Sequence, residues 1–174
     1  WAEKDIQLLV DLGIIKSEES KFRPDEDITE GEFIKLLLIA KGRLIPDDMS
    51  LPPIKRLESG DTKIDEEIQK YIEEAIKLGW VKDSEALAKR ALSREKAAAF
   101  IVRAMGFEKI ASIPDIYKDT VNDISSLNPE YKGHIAIALG LKLLSPENGS
   151  FKPKNNISRA QASTILVRML RASS

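Results

Sequence analysis

The sequence predicts an all-α fold made of three diverged helix–loop–helix repeats, with the second helix of each repeat gathered at the centre. Three observations lead there. Three segments align on one template. The second helix of each is apolar nearly all round. The same punctuation, Leu-Gly before the loop and Ser or Thr after it, recurs in every copy.

Repeat 1 covers 1–42. Its first helix, 5–13, places Ile6, Leu9 and Val10 on one face and closes at Gly13, where glycine is free to take the left-handed conformation. A loop holding Phe22-Arg23-Pro24 leads to the second helix, 28–42. There Thr29 is the N-cap and Glu32 completes a capping box. Phe33, Ile34, Leu36, Leu37, Leu38 and Ile39 leave this helix no polar face, so it belongs inside the structure.

Repeat 2 covers 64–106. Ile68, Ile72, Ala75 and Ile76 line one side of its first helix, which closes at Gly79. Its loop is shorter and lacks the Phe-x-Pro triplet. Its second helix, 92–106, starts at Ser93, but Lys96 cannot complete a capping box. Repeat 3 covers 117–171, with a first helix at 131–140 closed by Gly140, a loop with Phe151-Lys152-Pro153, and a second helix at 157–171. Ser158 and Gln161 form its capping box, and Ile165, Leu166, Val167 and Leu170 carry its apolar character. The linkers 43–63 and 107–116 are long for simple connections and are placed to wall a groove. The first contains Pro46, Pro52 and Pro53, a composition that resists helix.

Bulk properties exclude several classes. Lys+Arg number 27 against 28 Asp+Glu, a net charge of −1, so the basic excess of a nucleic-acid binder is absent. No apolar run approaches the roughly 20 residues of a bilayer span, which argues against membrane insertion. There is no Cys, hence neither disulfide nor thiolate site. His134 is the single histidine; on an outer helix it is expected at the surface or boundary, and no metal site or triad can be built from it. The acidic stretches around 61–63 and 119–123 lack the dense, spaced oxygens of a calcium loop and read as turns and caps. Trp80 reads as core or interface. No nucleotide-binding glycine pattern, no cofactor site and no active site emerge, and the chain is expected not to be an enzyme. It opens on Trp1 without Met or a basic-then-apolar leader, and its last apolar helix runs almost to Ser174. The expectation is a piece processed out of, or cut from, something longer.

The template resembles the S-layer homology (SLH) repeat of bacterial cell-surface proteins. That unit runs F-x-D, Trp-Ala, an apolar helix ending L-G-I, G-x-F-x-P, then I-T-R-A-E. Repeat 3 offers Tyr117-Lys118-Asp119, Leu139-Gly140-Leu141, Gly149-Ser150-Phe151-Lys152-Pro153 and Ile157-Ser158-Arg159-Ala160-Gln161. Repeat 1 offers Trp1-Ala2, Leu12-Gly13-Ile14, Phe22-Arg23-Pro24 and Ile28-Thr29-Glu30-Gly31-Glu32. Repeat 2 keeps Leu78-Gly79 and Leu92-Ser93-Arg94-Glu95-Lys96.

The resemblance implies pseudo-threefold symmetry and a central three-helix bundle of second helices. It implies binding of an anionic, often pyruvylated, secondary cell-wall polysaccharide in grooves between repeats. The partner on the protein side would be an attached passenger domain or an S-layer protein, held outside the cell at the wall. The arginine of I-T-R-A-E falls on Arg94 and Arg159, and the aromatic at the head of helix one on Trp1, placed to stack on a sugar ring. Lys152 joins the basic surroundings of Arg159. A cation just after the cap is mildly unfavourable to the helix dipole, which suits a carboxylate clamp, with a surface salt bridge as the alternative. Glu30 takes the arginine position in repeat 1, amid Glu18, Glu19, Asp25, Glu26 and Asp27, and predicts a dead groove there. Glu67 and, near it in register, Leu127 replace the aromatic in repeats 2 and 3. These departures keep a second class open, a repeat scaffold for protein–protein or intramolecular contacts without sugar binding.

Overall fold

A computed structural model describes residues 1–16, 22–43, 62–114 and 120–173. Among them the chain forms α1 (Glu3–Asp11), α2 (Glu30–Ala40), α3 (Thr62–Lys77), α4 (Arg94–Ala104), the single-turn α5 (Glu108–Ala111), α6 (Lys132–Gly140) and α7 (Arg159–Ala172). Short 3₁₀ turns fall at Ile124–Ser126 and Pro129–Tyr131. The described residues contain no strand beyond isolated bridges, so the all-α expectation holds.

The helix starts follow the sequence closely. Thr29 and Ser158 each accept the N3 backbone N–H while Glu32 and Gln161 reach back to the cap N–H. Ser93 caps nothing with its side chain. At the C-terminal ends of the first helices one pattern repeats. The N–H groups of Ile14 and Ile15 donate to Leu9 O, those of Trp80 and Val81 to Ala75 O, and those of Leu143 and Leu144 to Ala138 O. Gly13 (φ 70°) and Gly79 (φ 72°) supply the left-handed residue, as expected. In repeat 3 the left-handed residue is Lys142 (φ 57°), and Gly140 is still helical. The register there is therefore two residues later than Leu-Gly suggests: Leu141-Lys142-Leu143 matches Leu12-Gly13-Ile14. Counting back from the shared carbonyls, Trp1 corresponds to Glu67 and Glu130 rather than to Leu127.

The helices of one repeat do not pack chiefly on each other. The most extensive contacts join α3 to α2, α6 to α4, and α1 to α7. Each second helix is thus covered by the first helix of another repeat, and α1 on α7 closes the circuit. The second helices meet at their N-terminal ends, where three loops close a ring of backbone hydrogen bonds. Ile28 N–H donates to Ile157 O (2.9 Å), Ile157 N–H to Leu92 O (2.8 Å), and Leu92 N–H to Ile28 O (3.0 Å). The side chains of these three residues are buried and plug the middle of the ring. Such burial contributes roughly 1.5–3 kcal/mol each. One core runs through the described chain, from Leu9 through Phe33, Phe100 and Leu166. Trp80 and Val81 belong to it, as a core reading of Trp80 anticipates.

Two segments outside the repeats bear on the surface. Of the linker 43–63, residues 44–61, with Pro46, Pro52 and Pro53, lie outside the described residues. Linker 107–116 begins with α5, which packs so tightly on α6 that a side chain at Gly133 would land on the Ala111 carbonyl. This contact corrects the expectation for His134, which is buried at 2% exposure rather than at the surface or boundary. Its Nε2 lies 2.6 Å from Glu108 Oε2, and Arg103 Nε donates to the same oxygen at 3.0 Å. Periodicity put His134 on an outer helix correctly but could not show that α5 covers it.

Candidate functional site

Each second helix plugs its first turn into the loop of another repeat. The backbone N–H groups of Glu30, Arg94 and Arg159 donate to the carbonyls of Arg90, Asn155 and Glu26 at 2.8–2.9 Å. The next N–H in each case, from Gly31, Glu95 and Ala160, reaches Ala88, Pro153 and Pro24. Ala86-Leu87-Ala88 therefore occupies the place that Phe22-Arg23-Pro24 and Phe151-Lys152-Pro153 hold elsewhere.

At two joints the plug is an arginine. Arg94 donates from Nε to Phe151 O and from Nη2 to Ser145 O, both at 2.7 Å, and its guanidinium lies 5.0 Å from the Phe151 ring centre. Arg159 donates from Nε to Phe22 O at 2.8 Å and stacks 5.3 Å from the Phe22 ring centre. Both side chains are buried, against the salt-bridge-at-the-surface alternative. Their counter-charges differ. Arg159 Nη1 donates to Glu32 Oε1 at 3.0 Å, a carboxylate buried with it. Arg94 Nη1 has Glu147 Oε1 at 3.6 Å, on a side chain that is 42% exposed. Burial pulls the Arg94 pKa down, and Glu147 and Asp123 offset this only in part. Arg94 thus keeps its nearest carboxylate beyond hydrogen-bond distance, whereas Arg159 donates to one directly.

The third joint inverts the polarity. Glu30, 1% exposed, accepts from Leu87 N–H (2.8 Å), Arg90 Nε (2.7 Å) and Lys96 Nζ (3.0 Å). Arg23 (φ 48°) and Lys152 (φ 55°) are left-handed, and the peptide before each offers its carbonyl to an arginine. Leu87 stays out of that conformation, and its peptide offers an N–H to Glu30 instead. The sign of the plug and the orientation of one peptide group change together.

A cleft of about 180 Å³ opens beside Arg94, bounded also by Trp1, Glu147, Gln161, Thr164 and Arg168. All three repeats contribute to it. Trp1 is 85% exposed and holds the rim with its ring open to solvent. Arg168 Nη1 makes a long hydrogen bond to Leu143 O (3.3 Å). Of the residues singled out in the sequence, Trp1 and Arg94 come together here. Arg159 sits at a different joint. Lys152 is outside the cleft lining but donates from Nζ to Glu147 Oε2 at 2.8 Å. Sequence reading missed Glu147 and the polar stripe of α7. The stripe had a signal: Gln161, Thr164 and Arg168 fall on one helical face and interrupt the apolar run.

The loop that carries Glu147 is braced from behind. Glu147 and Ser150 exchange two backbone hydrogen bonds around Asn148 (φ 50°) and Gly149 (φ 79°), a tight two-residue turn. Asp123 accepts from Phe151 N–H and Lys152 N–H, both at 2.7 Å. Burial pushes its carboxyl up, but these N–H bonds outweigh it and hold the group below its ordinary range. Asp123 thus does a turn-capping job of the kind read for 119–123. Tyr117-Lys118-Asp119, aligned in the sequence with F-x-D, lies outside the described residues. Among the described residues no three His, Asp or Glu side chains group to hold a metal ion. None of their helices is long and apolar enough to cross a membrane.

Comparison with known proteins bears on this arrangement. The family model of the S-layer homology domain matches residues 1–34 and 122–163. An amylopullulanase of Thermoanaerobacterium thermosulfurigenes is 25% identical over 177 aligned residues, covering 99% of this chain and 9% of that protein. The middle cell wall protein of Brevibacillus brevis is 29% identical over 113 residues, covering 62% of this chain and 10% of that protein. The chain spans about a tenth of the length of these curated relatives.

Proposed function

We propose, from the premise that residues 1–34 and 122–163 are S-layer homology sequence, that this chain is a non-catalytic module anchoring a larger protein at the bacterial cell wall. Its ligand is an anionic secondary cell-wall polysaccharide of the pyruvylated kind. The larger protein is a surface passenger or an S-layer protein. A cell-surface setting agrees with the relative from Brevibacillus brevis, a cell wall protein by name.

The observation that carries the reading is Arg94: a buried guanidinium, its nearest carboxylate 3.6 Å away on a half-exposed side chain, beside a cleft whose rim holds an exposed tryptophan. A carboxylate-bearing sugar needs both, a planar cation for charge-assisted hydrogen bonds and an apolar ring face for the pyranose. Arg168 supplies a second donor across the cleft. Arg159 is tied to Glu32 and serves the joint rather than the ligand, and Glu30 fills the remaining joint with its own carboxylate. Among the described residues this leaves the Arg94 cleft as the competent one. The scaffold reading draws on those same two filled joints.

Retention on purified cell walls, with and without their secondary polymer stripped, tests the proposal. Wild type is expected to bind only unstripped walls, and Arg94→Ala to lose at least tenfold in affinity while keeping its helical circular dichroism. Equal retention on both walls, or full binding by the variant, would transfer the case to the scaffold.

A further inference from the structure

The Arg94 cleft already contains a carboxylate of the protein's own. Glu147 Oε1 stands 3.6 Å from Arg94 Nη1, and its other oxygen accepts from Lys152 Nζ at 2.8 Å. Three features separate this carboxylate from the other acids at the joints. It is 42% exposed, whereas Glu30 and Glu32 are buried. Its contact to Arg94 is long and lacks hydrogen-bond geometry, since Arg94 spends its well-formed bonds on two carbonyls. Its backbone is pinned by the tight turn at Asn148-Gly149, so only the side chain is free to swing. Lys152, 40% exposed, already holds the other oxygen and can keep the carboxylate once Arg94 is surrendered.

Resting on the polysaccharide reading above, we infer that Glu147 is an internal competitor for Arg94, occupying the guanidinium until a ligand carboxylate displaces it toward Lys152. The bound state exchanges one ion pair for another at Arg94, so the net gain comes from better geometry and from the sugar on Trp1. Binding is thereby restrained, and a neutral sugar, unable to displace Glu147, is refused. Lys152 acts through Glu147 and touches no ligand.

The test uses the full chain and a defined probe, a methyl hexopyranoside carrying a pyruvate ketal, with the unketalised methyl glycoside as the neutral control. Titration is followed on the Trp1 indole N–H resonance. Glu147→Gln is expected to bind the pyruvylated probe about three- to fivefold more tightly, the scale of an exposed ion pair removed from competition. Lys152→Ala is expected to weaken binding by a similar factor in wild type and to have no effect in the Glu147→Gln background. Unchanged or weaker binding by Glu147→Gln, while Arg94→Ala abolishes binding, overturns the inference and leaves the polysaccharide reading standing. Full binding by Arg94→Ala overturns both. A silent wild type with a binding Glu147→Gln variant supports the inference in its strongest form, and silence in both overturns the two together.

Discussion

At the scale of single residues, position 30, 94 or 159 decides what each joint is. The same backbone frame receives Arg94 through carbonyls and Glu30 through an N–H and two cations, and the Leu87 peptide turns to suit. Glu30 therefore holds the joint between repeats 1 and 2 together. Glu30→Ala removes the buried acceptor of Leu87 N–H, Lys96 and the half-exposed Arg90 and should cost about 1–3 kcal/mol in urea unfolding, the scale of a buried donor left unmet. Glu30→Arg, which puts here the residue type of the other two joints, is expected to be worse, because it adds a third cation against an N–H dipole. A stable Glu30→Arg protein would refute this account of the joint. The acidic residue at the head of α2 was legible in the sequence. Its structural use was not, because Arg90 and Lys96 are brought to it by a fold that one-dimensional spacing does not display.

At the scale of elements, caps and periodicity were readable where the signal is local. Thr29, Ser158, Gly13 and Gly79 behave as their types predict. Repeat 3 misled by two residues because Lys142 takes a conformation that glycine usually marks, while a glycine sits unused in the last turn of α6. Amphipathicity told which face of the first helix is buried in repeats 1 and 2 but could not tell against which second helix, since any apolar stripe fits any apolar stripe. The close seat of α5 on α6 was likewise invisible. It has a direct check. Gly133→Ala would push a methyl group into the Ala111 carbonyl, so α5 must move off α6. The expected loss is about 1–3 kcal/mol, with hydrogen exchange quickening first in α5 and around His134. Unaltered protection at both places would show the contact to be loose.

At the scale of the molecule, acid sensitivity is unevenly spread. Glu108, Asp123, Glu130 and Glu147 all sit below their ordinary carboxyl range. For Glu108 burial opposes the shift and bonds from His134 and Arg103 overcome it. For Glu130 and Glu147 the hydrogen bonds from Lys82 and Lys152 lead. A carboxyl depressed in the folded state stabilises fully above its unfolded pKa and ceases to do so as pH falls through the folded value. The melting temperature should thus be level above about pH 5 and fall below about pH 4. Exchange should rise earliest between residues 108 and 152. An even loss of protection over the whole chain would contradict this. The circuit formed by α1 on α7, α3 on α2 and α6 on α4 has one more consequence. Open solenoids lengthen by duplication, since each new unit meets an exposed end. A closed circuit offers no free end to build on. Inserting a fourth copy would leave it outside, tethered and unpartnered, so evolution can multiply such a module only whole, in sets of three.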